Sequence, residues 1–258
     1  MNNNTPEFTN SISLFCWNIA NPSLKRAASQ ANWLHKLNKD ILVLTECKNS
    51  EGSRFIEKYL LFNGYEVIFP RPDNNGYGVL VASKLKTKIT LFANSVPFLN
   101  SRIVSISIEL PSLDDFIEII GLYIPSRDVS SEKIIRKRTF LQNVISAFNN
   151  SPNYKYRVFC GDFNILEPNH FPHYSFFQDW EYGFYNALNG YELIDAYRYL
   201  HPTEQEYSWV GRTGDGYRYD HFFVSKALTQ SIKKCFYLHD PRNEKLSDHS
   251  AIISELGF

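Results

Sequence analysis

The chain has 258 residues, 43% of them hydrophobic and 16% aromatic, enough to fill one large core. Its 27 basic and 27 acidic side chains cancel, which excludes a chain-wide field for gathering polyanions and leaves any such attraction to local patches. No run of about 18 uncharged apolar residues is present to span a bilayer, and Met1 to Ser11 has neither the basic nor the apolar part of a secretory signal, so a cytoplasmic protein without membrane contact is expected.

Residues 1–11 read as an irregular lead and residues 12–258 as a single domain without repeat, low-complexity tract or linker. Apolar runs bounded by turn residues predict strands over Ser13–Trp17 and Ile41–Thr45. Between them Pro22–Asn38 is helical, with Leu24, Ala27, Ala28, Ala31, Leu34 and Leu37 on one face and Asn21 as the start signal. A short helix near Arg54–Leu61 precedes strands over Tyr65–Phe69, Gly78–Ala82, Ile103–Leu110 and Phe116–Tyr123. The helix over about Ser131–Phe148 turns Ile134, Leu141, Val144, Ile145 and Phe148 inward and Arg136 and Lys137 outward; the basic run Arg136-Lys137-Arg138 then reads as a solvated helix face. The strand Arg157–Cys160, a helix around Tyr174–Leu188, and strands over Tyr207–Val210, Tyr219–Val224, Lys234–Leu238 and Ala251–Glu255 complete the chain. About eleven strands and few helices in mixed order predict two packed sheets with helices on their outer faces, an α/β sandwich.

Four cysteines (Cys16, Cys47, Cys160 and Cys235) are far apart and form no CxxC spacing, which predicts buried reduced thiols rather than disulfides or a zinc site. The residues with chemistry stand instead at the ends of the apolar runs, where strands deliver them to a shared rim. Asn18 closes one run and Glu46 the next; Asp162 and Asn164 follow Val158-Phe159-Cys160-Gly161; Asp220 opens His221-Phe222-Phe223-Val224; Asp248 and His249 precede Ser250-Ala251-Ile252-Ile253. Carboxylates gathered at one rim repel, so they call for a cation, and hard oxygen donors select magnesium, manganese or calcium over zinc. Such an ion with a carboxylate, an amide and a histidine is a kit for displacing an ester at phosphorus.

Six short motifs occur in order: Trp17-Asn18, Leu44-Thr45-Glu46, Tyr123-Ile124-Pro125-Ser126, Gly161-Asp162-Phe163-Asn164, Tyr217-Arg218-Tyr219-Asp220 and Ser247-Asp248-His249. In order and spacing the chain resembles the exonuclease III and AP-endonuclease branch of the endonuclease/exonuclease/phosphatase superfamily, over about residues 12 to 256. The resemblance implies a four-layered α/β sandwich of the deoxyribonuclease I type. It also implies a magnesium-dependent phosphodiesterase, manganese being a possible substitute, acting on DNA as a monomer without an obligate protein partner. Carried over residue by residue, it makes Glu46 the principal metal ligand, Asn18 its neighbour and Asp248 the support of a second ion. Asp162 activates the water; Asn164 and Tyr123 hold the scissile phosphate; His249, oriented by Asp220, donates to the phosphoryl group; Ser126 and Trp209 flank the substrate.

Three departures bear on the substrate. The branch's Tyr-x-Pro-Asn appears here with Ser126, and its Tyr-Thr-Trp-Trp stretch as Tyr207-Ser208-Trp209-Val210, one aromatic fewer. Its arginine-rich loop is replaced by the short Gly211-Arg212-Thr213-Gly214-Asp215-Gly216. Loops of this kind hold DNA around an extruded abasic nucleotide, so a general nuclease is expected as readily as a repair enzyme. A phosphodiesterase or phosphatase on a smaller ester, and a catalytically inactive binding module, are the competing readings.

Overall fold

The computed structural model describes residues 11–73, 75–110, 113 and 115–258. The irregular lead expected over residues 1–11 lies outside them except for Ser11, which already opens the first strand.

The first half of the chain builds most of one sheet. Strands β1 (Ser11–Asn18), β2 (Ile41–Cys47), β3 (Glu66–Ile68) and β4 (Gly78–Ser83) belong to it, with helices α1 (Leu24–Leu37) and α2 (Glu51–Phe62) as crossovers. Strands β5 (Thr87–Ile89), β6 (Ile103–Leu110) and β7 (Asp115–Tyr123) begin the second sheet; α3 (Ser131–Asn150) leads to β8 (Arg157–Asp162), and α4 (Asp179–Gly190) to β9 (Leu193–Asp195). After the short α5 (Ala196–Leu200), β10 (Trp209–Val210) and β11 (Gly216–Tyr217) pair as a separate hairpin. Strand β12 (Asp220–Ser225) enters the second sheet, while β13 (Ile232–Leu238), the short α6 (Asp240–Asn243) and β14 (Ala251–Gly257) return to the first. The strand orders are β13-β14-β1-β2-β4-β3 and β5-β6-β7-β8-β12-β9.

Alternation along each strand sends one set of side chains between the sheets and the other under helices. Leu14, Cys16, Val43 and Val81 of the first sheet meet Ile106, Ile119, Val158 and Phe222 of the second. Outside, Phe15, Trp17, Leu42 and Leu44 pack under α1 and α2, and Ile120, Leu122, Phe159 and Phe223 under α3 and α4. The result is the expected four-layered sandwich. All four cysteines are buried free thiols.

Several local readings differ from the structure: the helix expected around Tyr174–Leu188 begins only at Asp179, and the short α5 and α6 match no expected element. Helix α1 is capped by Ser23, whose hydroxyl accepts from the Arg26 amide, and not by Asn21. On its inner face Gln30 takes the place of the expected Ala28 and Leu24, because its amide donates to the carbonyls of Ile19 and Leu246. Lys137, expected in solvent, is buried at 1% exposure, since the helix phase that buries Leu141 and Val144 carries residue 137 inward as well. Strands β5, β9 and β11 are too short for a period-two pattern to register.

Candidate active site

Register places the site. Strand β1 runs parallel to β2 with Asn18 beside Thr45, which carries the end of β1 and Glu46 to the same edge. Strand β7 runs parallel to β8 with Tyr123 beside Asp162, and β12 runs antiparallel to β8 with Asp220 also beside Asp162. The strand ends of both sheets thus meet at one rim. Glu46 and Asn164 both turn the chain there with left-handed φ values of 56° and 49°, a region asparagine enters at low cost and glutamate does not.

Beneath the rim the side chains form one connected set. Asn18 donates its amide to Asp162 Oδ2 at 2.8 Å, and the same Nδ2 lies 3.4 Å from His249 Nε2. His249 Nδ1 lies 2.8 Å from Asp220 Oδ2, and Tyr123 donates its hydroxyl to Glu46 Oε1 at 2.6 Å. Asn164 donates its backbone amide to Asp162 Oδ1 and its side-chain amide to the carbonyl of Ile124, at 2.9 and 3.0 Å. Around them the Ser208 hydroxyl accepts from the Asp220 amide, Ser247 donates to the Asn18 carbonyl, and the Trp17 indole donates to the His249 carbonyl. None of these three braces is legible in the sequence: Trp17 and Ser247 stand inside the motifs and Ser208 in the Tyr207–Val210 stretch, but a motif does not record where such a side chain bonds.

A cleft of about 280 Å³ opens above this set, walled by Glu46, Asn164, Trp209, Asp248 and His249, with Ser126 at its edge. Asn18, Tyr123, Asp162 and Asp220 lie below its floor, each at most 2% exposed. Ser126 is exposed and its carbonyl accepts from Arg136, while the Trp209 indole donates to Asp248 Oδ2 at 3.0 Å. His221, next in sequence to Asp220, points to the opposite face of β12 and meets the Ile165 carbonyl, away from the cleft.

The electrostatics are those of crowded negative charge. Burial, and then the carboxylates of Asp220 and Glu46, push the Asp162 pKa up to about 8 against a partial offset from His249. Burial alone would lower the His249 pKa, but Asp220 outweighs it and lifts it to about 10. Asp162, Asp220 and His249 offer ligand atoms within 4.8 Å of one another, and Asp220 Oδ1 is buried with no hydrogen-bond partner among the described residues. Two carboxylates and an imidazole held together at this cost, with Glu46 and Asp248 at the cleft above, are donors that suit a divalent cation. The residues present fit such an ion.

Two helix-flanked sheets with functional strand ends at a common rim define a deoxyribonuclease I-like fold. The sequence model of the endonuclease/exonuclease/phosphatase family matches residues 15–249, and the chain belongs to that family. A DNA-(apurinic or apyrimidinic site) endonuclease of Dictyostelium discoideum is 26% identical over 243 residues, spanning 87% of this chain; the chain spans only 65% of that relative's length. Among solved structures, an AP endonuclease from Archaeoglobus fulgidus superposes with a TM-score of 0.77 at 23% identity, covering 94% of this chain and 98% of the other. A Neisseria 3′ phosphatase, NExo, bound to a product DNA hairpin superposes at 0.78 and 21%, covering 96% and 100%.

Proposed function

We propose that the chain is a magnesium-dependent nuclease, hydrolysing phosphodiester bonds of DNA with water as the nucleophile and exonuclease III-like chemistry. The observation that carries the reading is the buried cluster in which His249 Nδ1 lies against Asp220 and Asn18 donates to Asp162, directly beneath a cleft lined by His249 and Glu46. The names of the relatives support DNA as substrate: two are AP endonucleases and one is a phosphatase bound to a DNA product. The four buried thiols suit a reducing, cytoplasmic setting.

In this reading Glu46 holds the ion, fixed by the Tyr123 hydroxyl, with Asn18 beside it and Asp248 at the rim. When bound, magnesium, or manganese in its place, supplies positive charge against the phosphoryl oxygens. Asp162 takes a proton from the attacking water as its oxygen bonds to phosphorus, and the ester oxygen leaves and is protonated from solvent. Asn164 holds the phosphate; Tyr123, expected beside it, lies below the cleft floor with its hydroxyl on Glu46 and acts through that carboxylate; His249, kept protonated by Asp220, donates to a phosphoryl oxygen as charge builds there. Ser126 and Trp209 border the substrate.

The test is a panel of labelled single-stranded, duplex, nicked and abasic DNA with Mg²⁺, Mn²⁺ and Ca²⁺. Metal-dependent cleavage of any member supports the reading. Inert DNA beside rapid hydrolysis of a small phosphate ester would replace it, and a chain inert toward both would be a binding module.

A further inference from the structure

One wall of the cleft includes Arg127 and Lys137, which belong to an ion cluster that the reaction as described does not use. Glu181, on the first turn of α4 and fully buried, accepts from the Arg127 guanidinium and from Lys137 Nζ, the latter at 2.6 Å. The same Lys137 ammonium donates to the backbone carbonyl of Asn164 at 2.6 Å. A lysine sealed inside a protein is costly unless it is paired, and burial indeed draws its pKa down to about 8 against the pull of Glu181. Two features separate this lysine from an ordinary buried ion pair. Glu181 already has Arg127, so its charge is met without Lys137. And the second acceptor is the residue whose left-handed backbone carries the carboxamide lining the cleft.

Asn164 is thereby tied at three points: its amide to Asp162, its side chain to Ile124, and its carbonyl to Lys137. The first two ties pull toward the sheet, and only the third comes from helix α3. We propose that Lys137, braced by Glu181 against Arg127, is a positioning residue for phosphoester hydrolysis, holding the 162–164 turn so that the Asp162 carboxylate and the Asn164 carboxamide keep their mutual placement. This rests on the nuclease reading above. Small displacements of positioned groups are felt mainly in the reacting state, so the effect belongs in kcat more than in KM.

The experiment combines kinetics with a probe that needs no turnover. Lys137→Met keeps the aliphatic stem and leaves Glu181 paired with Arg127, so the fold is expected to survive; Glu181→Gln keeps Lys137 but loosens its brace. Labelling asparagine carbonyl carbons and isoleucine nitrogens marks two peptide bonds, Asn164–Ile165 and Asn18–Ile19, the second serving as an internal control. Lys137→Met should move the Asn164–Ile165 resonance at least several times further than that of Asn18–Ile19. With nicked or single-stranded DNA and Mg²⁺, it should lower kcat at least about tenfold with KM within about twofold. Glu181→Gln should lower kcat in the same sense, and the double variant should be no worse than the worse single one. A lower melting temperature with kcat unchanged, or an unmoved Asn164–Ile165 resonance, overturns the positioning role and leaves Lys137 a structural ion. A wild-type chain inert on DNA whose resonance still responds to Lys137→Met removes the nuclease reading while keeping the link from Lys137 to Asn164.

Discussion

At the scale of the residue, the site in the proposed reading divides into a part that would meet an ion and a part that would hold a proton. Glu46 stands at the cleft wall with one oxygen taken by Tyr123, which makes it the carboxylate best placed to reach outward. Glu46→Gln should therefore abolish metal binding in calorimetry and turnover together while leaving the melting temperature of the metal-free protein within a few degrees; wild-type affinity in the variant would end its assignment as ligand. In that reading His249 and Asp220, 2.8 Å apart, are the proton-holding part. His249→Ala and Asp220→Asn should each lower turnover at least about 10²-fold, with the double variant little worse than either, because coupled groups do not add. Additive losses would show two separate roles. The pair also sets a pH dependence of stability. With its folded pKa lifted from the ordinary 6.5 to about 10, His249 holds its proton more tightly in the folded than in the unfolded chain. Its contribution is full below about pH 6.5 and is lost as pH rises through about 10. In chelator, the alkaline fall in wild-type melting temperature should flatten in Asp220→Asn, and parallel curves would deny the pair that role.

At the scale of the element, the site depends on how strands end, and this is where sequence is most and least informative. Asn18, Glu46, Asp162, Asp220 and His249 are legible because each interrupts or borders an apolar run, and a strand has no choice about which rim its end reaches. Lys137 reads outward only when charge is weighed above phase: positions 134, 137, 141, 144 and 148 fall at helical spacing on the stripe that packs inward. The pairing of Trp209 with Asp248 and the braces from Ser208 and Ser247 join residues 39 apart or more from different elements, or hydroxyls to backbone, and no periodicity records such contacts. Gly161 shows how tightly the β8 end is fixed: a Cβ there would stand 1.8 Å from the Leu122 carbonyl oxygen on the neighbouring strand. Gly161→Ala should force β7 and β8 apart beside Asp162 and destabilise the fold by about 3 kcal/mol or more in denaturant unfolding, whereas a change under about 1 kcal/mol would mean the strands can separate freely. The β10–β11 hairpin is short and closes through a Gly211 amide to Asp215 carbonyl bond, so it has little reach over a duplex. An abasic duplex is accordingly expected to be cut no more than about tenfold better than a matched intact one, a preference of about 1.4 kcal/mol. A much larger preference would restore a repair enzyme built on other contacts.

At the scale of the whole molecule, zero net charge leaves any pull on DNA to local cations, and the two that line the cleft, Arg127 and Lys137, are paired with Glu181. The basic run on α3 offers less than its sequence suggests. Lys137 is internal; Arg136 is half-buried and donates to the Ser126 carbonyl; Arg138 is exposed but lies over the Trp180 ring at 5.0 Å. Beyond α3, Lys48 sits over the Tyr77 ring at 4.6 Å, and Arg212 is exposed in the hairpin turn. With about three of these reaching phosphates, and each contact on duplex DNA contributing a slope of about −0.9, kcat/KM should fall with added salt with a log–log slope of about −3. Replacing Arg138 or Lys48 by alanine should reduce the slope by about one if that residue touches a phosphate, and should weaken binding alike on all sequences. The measurement is cleavage of one duplex from about 50 to 200 mM salt at substrate well below KM. A slope near zero beside fast hydrolysis of a small phosphodiester would mean that the cleft serves a small ester. A slope of about −6 or steeper would mean that DNA is gripped by more cations than these residues supply, and that other basic side chains complete the binding surface.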